Sequence, residues 1–210
     1  PGLAEGVLVV TTKDVNWTPS PGYPSVNASA APVEGLNALQ TQLSGTAQAH
    51  GDGIAKFEWD FQGDGVFDFQ STSSPDTTHT FTTPGTYHPT LLITDADGFR
   101  AYDHQTVTVY GLENEFSMDV FDLSGGQAPG FTFSLSDPGL ITVDIYDNNG
   151  NLVRTLLSNQ EYIAGQHELT WDGLDDQGSL VTDGEYHVTF AYSVGGQTYA
   201  HDLRATTGGQ

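Results

Sequence analysis

Along most of the chain apolar and polar residues alternate with a period of two. Leu91 and Ile93 do so, then Val107 and Val109, and later Phe131-Thr132-Phe133-Ser134-Leu135 and Ile141-Thr142-Val143-Asp144-Ile145. Successive side chains of a strand point to opposite faces, so these runs predict half-buried β-strands. On the same grounds Trp59 and Phe61 share one strand face and Asp60 takes the other. Turn residues punctuate the runs: Gly63-Asp64-Gly65, Pro84-Gly85, Asp137-Pro138-Gly139 and Asp147-Asn148-Asn149-Gly150. Gly and Asn tolerate the left-handed backbone of tight turns, and the Asn-Gly pair predicts a hairpin. One segment breaks the alternation. Gly6-Val7-Leu8-Val9-Val10-Thr11-Thr12 is continuously apolar or β-branched, the mark of a strand covered on both faces. The proline-rich run Thr18-Pro-Ser-Pro-Gly-Tyr-Pro24 follows it as a stiff, extended arm.

Three ordered motifs carry a family resemblance over Pro24 to Tyr110. They are Trp59-Asp60-Phe61 with Gly63-Asp64-Gly65, Pro84-Gly85-Thr86-Tyr87, and Thr94-Asp95. Together they resemble the polycystic kidney disease (PKD) domain, an immunoglobulin-like β-sandwich found mostly on secreted and cell-surface proteins. Gln62 intervenes after Trp-Asp-Phe, and Val66–Phe69 lengthen the turn. Tyr87 stands where a sandwich commonly bonds a tyrosine hydroxyl to nearby backbone. From Phe116 onward the order changes to Asn149-Gly150, Ala164-Gly165-Gln166-His167, Trp171-Asp172-Gly173 and Gly184-Glu185-Tyr186. This order is similar to the immunoglobulin-like domain of flagellar hook-capping proteins, and it implies a fold rather than a flagellar role. The expected fold is all-β: two tandem immunoglobulin-like β-sandwiches with an extra N-terminal strand and arm. Residues 1–23 form that arm, 24–111 the PKD-like sandwich and 112–210 the second sandwich.

Composition narrows the function classes. Lys13, Lys56, Arg100, Arg154 and Arg204 oppose 27 acidic residues, for a net charge of −22. Nucleic acid and anionic lipid both depend on Lys and Arg contacts, so neither is an expected partner. No run of eighteen apolar residues is present, so no membrane insertion is expected. A basic segment leading into an apolar stretch is also missing, which suits a secreted chain whose signal peptide has been removed. With no cysteine, disulfides and thiolate metal sites are excluded. The remaining uses of the charge are solubility, cation binding or a high-salt habitat.

Asp60, Asp64 and Asp68 place three carboxylates in one glycine-containing loop, which suits Ca²⁺ and its preference for hard oxygen ligands. Asp52 and the pair Asp95 and Asp97 are further candidates, since the PKD resemblance implies calcium sites where loops and the inter-domain linker meet. The alternative is that these aspartates are solvated turn residues bonding backbone amides. Asp172, Asp175 and Asp176 around Gly173 admit the same two roles. The seven histidines show no zinc-ligand spacing. Glu58 and Asp60 flank Trp59 as strand neighbours and lack the cleft that a glycosidase pair needs. Neither a nucleophile motif nor a phosphate or dinucleotide loop is present, so the chain is expected not to be an enzyme. The resemblance assigns Trp59 and Trp171 to cores and leaves Trp17 open. Asn16-Trp-Thr18 and Asn27-Ala-Ser29 match the N-glycosylation pattern.

Two functions follow from this pattern. The first is a non-enzymatic extracellular structural or adhesive protein, the subunit of a surface filament or sheath. Its Val7, Leu8, Val9 and Val10 strand either completes its own sheet or adds to a neighbour's, and in the second case the chain's partner is itself. Other surface proteins and glycans are the remaining partners. The second function is an accessory polysaccharide-binding or spacer region of a larger secreted hydrolase.

Overall fold

The computed structural model describes residues 22–116 and 128–202. Val7–Val10, Asn16 and Trp17 lie outside the described residues. In the first half the strands are β1 (Ser25–Ala31), β2 (Glu34–Leu36), β3 (Leu39–Gln48), β4 (Ile54–Asp60), β5 (Phe69–Ser71), β6 (Thr77–Phe81), β7 (Gly85–Tyr87), β8 (Thr90–Asp95), β9 (Arg100–His104) and β10 (Val107–Tyr110). The second half holds β11 (Leu112–Phe116), β12 (Gly130–Leu135), β13 (Gly139–Asp147), β14 (Leu152–Tyr162), β15 (Gly165–Thr170), β16 (Tyr186–Val194) and β17 (Gln197–Asp202). The fold is all-β, with no helix among the described residues.

Period-two patterning decides which faces close. In the first sandwich, sheet β1-β3-β6 packs against sheet β5-β4-β8-β9 through Leu43, Trp59, Leu91 and Ile93. A second cluster of Leu39, Phe81, Val107 and Val109 joins β3 and β6 to the small sheet β2-β10-β7. Within that small sheet, β2 runs parallel to β10 while β7 is antiparallel to it. The outer edge of β1 is closed by side chains: Ala28 N–H donates to Asp103 Oδ2 at 2.8 Å, and Gln105 Nε2 donates to Ala28 O at 3.1 Å. In the second sandwich, sheet β11-β12-β15 faces sheet β14-β13-β16-β17 across Phe133, Ile141, Val143, Trp171 and Phe190. Trp59 and Trp171 are core residues, and their indoles donate to Pro75 O at 2.7 Å and Leu174 O at 2.9 Å. A buried indole keeps such a partner because losing its water contact costs free energy.

A single residue, Gly111, separates β10 from β11. Tyr110 ends β10 inside the second core, and Leu36 packs against that same core. Asn37 sits in the left-handed region at φ 61° and bonds Leu112 through both ends of its amide. Gly111 N–H donates to Ser136 Oγ at 2.8 Å, and Ser136 N–H returns a bond to Gly111 O at 3.0 Å. A Cβ on Gly111 would lie 2.7 Å from Pro84 Cγ, so only glycine fits this approach.

Strand directions then locate the free ends. β3 runs from beside Asn37 to Gln48, and β4 starts next to the end of β8, at the Ile54–Asp95 pair. The turns β3–β4 and β8–β9 therefore lie at the end of the first sandwich remote from the junction, tied together by Ala96 N–H to Gly53 O at 2.9 Å. β13 likewise leaves the junction and turns at Asp147, opposite Tyr186 at the start of β16. Residues 147–151 and 171–185 thus gather at the remote end of the second sandwich.

Candidate functional site

The Asp60 loop was expected to gather carboxylates, and it gathers amides instead. Asp60 Oδ1 accepts from Gly63 N–H at 2.7 Å and from Asp64 N–H at 3.2 Å, while Oδ2 accepts from Gly65 N–H at 2.6 Å. Asp64 Oδ1 accepts from Val66 N–H at 2.8 Å, and Asp68 Oδ2 accepts from Phe61 N–H at 2.8 Å. Gly63 and Gly65 have φ of 78° and 89°, which lets the loop wrap its N–H groups around one carboxylate. Asp60 is only 4% exposed, so it is not on a solvent face opposite Trp59; its own loop folds over it. Carboxylate-to-amide bonds are stronger than neutral ones, and they account for burying a charge here.

The other predicted ligands are dispersed in the same way. Asp95 is buried, and its Oδ1 takes the N–H groups of Asp97 and Phe99 at 3.1 and 2.8 Å. Asp52 is exposed on the β3–β4 turn, and the Asp97 carboxylate lies against Gly51. Among the described residues no group of three or more acidic or histidine side chains is close enough to hold a metal ion. Asp60, Asp64, Asp68, Asp52, Asp95 and Asp97, the calcium candidates of the sequence, form no such group among the described residues. Asp172, Asp175 and Asp176 also bond backbone amides, those of Leu174, of Gln177 and Ser179, and of Thr155. Asn27 is exposed on β1, where a glycan can be carried without disturbing the core.

What the fold assembles instead lies at its two remote ends. At the first, Tyr23 meets Phe99 edge-on with ring centroids 5.7 Å apart, and His50 stacks on Phe99 at 6.1 Å. Tyr23 is 61% exposed and Phe99 43%. Arg100 follows at the start of β9, and Tyr102 shares its strand face. Arg100 makes no ion pair with any described residue, whereas Lys56 pairs Glu58 at 2.7 Å and Arg154 lies 3.9 Å from Asp176.

At the other end is an open cleft of about 490 Å³ between the β13–β14 turn and residues 175–186. Leu152, Leu180 and Tyr186 supply its apolar wall. Asp147 and Asp175 line it with their carboxylates turned onto local amides. Bonding from Asn151, side chain first, holds Asp147 below the usual carboxylate range. Asp183 and Glu185 line it too and make no hydrogen bond or ion pair with any described residue.

Family comparison agrees with this architecture. Residues 24–109 match the PKD domain, and residues 114–196 match the FlgD Ig-like domain. The chain carries a PKD domain followed by a FlgD Ig-like domain. The chain is similar to the basal-body rod modification protein FlgD of Escherichia coli, 43% identical over 56 residues, or 27% of this chain and 24% of that protein. Its counterpart in Salmonella typhimurium is 41% identical over the same length and shares. The chain thus spans about a quarter of the length of these curated relatives. Among solved structures, FlgD from P. aeruginosa is 25% identical with a TM-score of 0.35, over 40% of this chain and 63% of that one. A tetra-tandem repeat from the extending region of a large adhesion protein is 18% identical with a TM-score of 0.33, over 85% and 49% of the two chains.

Both domains use one corner device. In the PKD domain Tyr87 donates its hydroxyl to Thr83 O at 2.7 Å, as expected. In the FlgD Ig-like domain Tyr186 donates to Thr182 O at 2.7 Å, which the sequence reasoning missed. The signal was present, because Thr83-Pro-Gly-Thr-Tyr87 and Thr182-Asp-Gly-Glu-Tyr186 share a spacing.

Proposed function

We propose that this chain is a non-enzymatic structural and adhesive protein of the cell exterior, a subunit of a surface filament or sheath that joins its neighbour through the Val7–Val10 strand. The observation that carries the proposal is the junction. With Gly111 alone between the sandwiches and Asn37 bonded to Leu112, the two domains bear on each other as a spacer should. PKD and FlgD Ig-like domains are structural rather than catalytic modules, which supports a role in placement rather than chemistry. Strands β6, β15 and β17 each end a sheet of the described residues, so a donated strand has edges to meet.

Size-exclusion chromatography with negative-stain imaging tests this. Self-assembly that disappears on deletion of residues 1–15, with both domains still folded, is the expected result. Protein that stays monomeric at every concentration sinks the filament role. A second role, a polysaccharide-binding spacer of a larger secreted hydrolase, is favoured by the exposed Tyr23–Phe99 pair, because aromatic faces stack on sugar rings. Retention on insoluble glycans, lost in Tyr23→Ala, would select it.

A further inference from the structure

We infer that β17, the outer strand of the second sandwich, is the edge that receives the Val7–Val10 strand of a second copy of this chain. The inference rests on the strand-donation reading above and names the acceptor for it.

A sheet edge carries unpaired N–H and C=O groups, and proteins blunt the edges that are not meant to pair. Most edges of the described residues are blunted. β2, β5 and β7 are three residues each. β1 has its Ala28 N–H and C=O taken by Asp103 and Gln105. β14 is bulged against β13 and holds Asn159 in the left-handed region at φ 47°. β9, β11 and β15 carry charges within the strand: Arg100 and Asp103, Glu113 and Glu115, and Glu168. β6 is uncharged but shorter than β17, and its Thr77 O already accepts from Gln42 Nε2 at 3.0 Å.

β17 escapes all of these. It runs unbulged beside β16, from the Val194–Gln197 pair to the Thr189–Asp202 pair, and Gln197 to His201 include no Asp, Glu, Lys or Arg. Gly195 and Gly196, with φ of 60° and 79°, make the two-residue turn before it. In such a hairpin the flanking pair exchanges both bonds, and bonded and unbonded pairs alternate from there. Thr198, Ala200 and Asp202 therefore turn their N–H and C=O groups to the outer edge, where no described residue bonds them. On the inner face Tyr199 packs against the core, yet its hydroxyl is buried with no hydrogen-bond partner among the described residues. Buried polar groups are nearly always paired, so this side of the sandwich lacks a piece.

Gly6–Thr12 has the makings of that piece. It is uncharged, free of proline, β-branched at most positions and long enough to match β17 along its whole length. The donor precedes the first sandwich and the acceptor belongs to the second. Such a contact joins unlike surfaces and does not close, so each copy fills one neighbour and is filled by another.

Two complementary variants separate donor from acceptor. Deletion of residues 1–15 leaves an acceptor without a strand to give. Ala200→Pro leaves a donor whose own edge is blocked, because proline removes an outward N–H and spares the ladder to β16. Wild type is expected to polymerise, each variant alone to stay monomeric, and their mixture to stop at a one-to-one heterodimer in size-exclusion chromatography with light scattering. Hydrogen exchange gives a second reading that needs no substitution in β17. The amides of Thr198 and Ala200 should exchange at least about tenfold more slowly in the wild-type assembly than in the deletion variant. If Ala200→Pro fails to fold, this comparison decides alone. Polymerisation of Ala200→Pro, or unchanged exchange in β17 with new protection in β6, overturns the inference while strand donation stands. Wild-type protein that is monomeric with β17 already protected assigns the strand to its own chain and overturns the second copy. Assembly that survives the deletion of residues 1–15 sinks strand donation itself.

Discussion

Asn37 and Leu112 are bonded twice: Asn37 Nδ2 donates to Leu112 O at 3.0 Å, and Leu112 N–H donates to Asn37 Oδ1 at 2.9 Å. The amide of a PKD-domain turn thus imitates a strand neighbour for the first residue of the next domain.

Asn37→Gly preserves the left-handed backbone and deletes only the side-chain bonds. Two neutral hydrogen bonds are worth about 2 kcal/mol together. The expected outcome is a calorimetric trace in which one coupled transition separates into two, with each domain still folded. A single unchanged transition would mean that Tyr110 and Leu36 couple the domains without Asn37.

Asp60→Ala strips three amides of their acceptor inside a nearly closed loop. A loss of about 3 kcal/mol is expected, with a fall of more than about 10 °C in the PKD-domain midpoint. Because amides already occupy this carboxylate, calcium-loaded and chelated buffers of equal ionic strength should give the same midpoint. A calcium-selective rise that Asp64→Asn removes would restore the ion as a ligand of the loop.

His79 stacks on Phe61 with centroids 4.2 Å apart and touches Phe81 edge-on. Burial lowers its basicity below the ordinary 6.5, and the nearby Asp68 charge only partly offsets this. The folded state therefore binds fewer protons than the unfolded one. Its contribution is full above about pH 6.5 and is lost as pH falls through that value toward the depressed one. Denaturant titrations of the wild type and His79→Phe should diverge with acidification, the variant holding more of its neutral-pH stability.

Tyr192 is fully buried, and its hydroxyl donates to Asp137 O at 2.7 Å. Burial first, then the Asp137 charge, pushes its ionisation up to about 12. Here the folded state keeps a proton that the unfolded state gives up near 10, so stability falls between those two values. Tyr192→Phe should cost about 1 kcal/mol at neutral pH and flatten that alkaline decline. An unchanged decline would place the titrating group elsewhere, with Tyr110 and Tyr199 next to examine, since burial raises both.

Much of this architecture was legible in local pattern. Trp59, Leu91, Ile93, Val107 and Val109 are buried where alternation put a covered face, and the Gly63-Asp64-Gly65 and Asn149-Gly150 turns adopt the positive φ their glycines permit. Short-range chemistry writes itself into short windows. The role of Asp60 was ambiguous for the same reason: a turn that serves amides and a loop that serves calcium use the same residues. The tip was illegible because Tyr23, His50 and Phe99 come from three separate segments that meet only after both β3 and β8 reach their ends. Asn37 was overlooked because nothing in its neighbourhood reveals a partner as distant as Leu112.

The parallel pairing of β2 with β10 has a mechanical meaning. Tension entering before β1 and leaving through Gly111 draws these two strands in opposite directions along a shared axis, Thr108 past Glu34 and Tyr110 past Leu36. Bonds loaded in this way yield together rather than peeling one after another. The strand that leads into the next domain is thus also the one best placed to bear its pull.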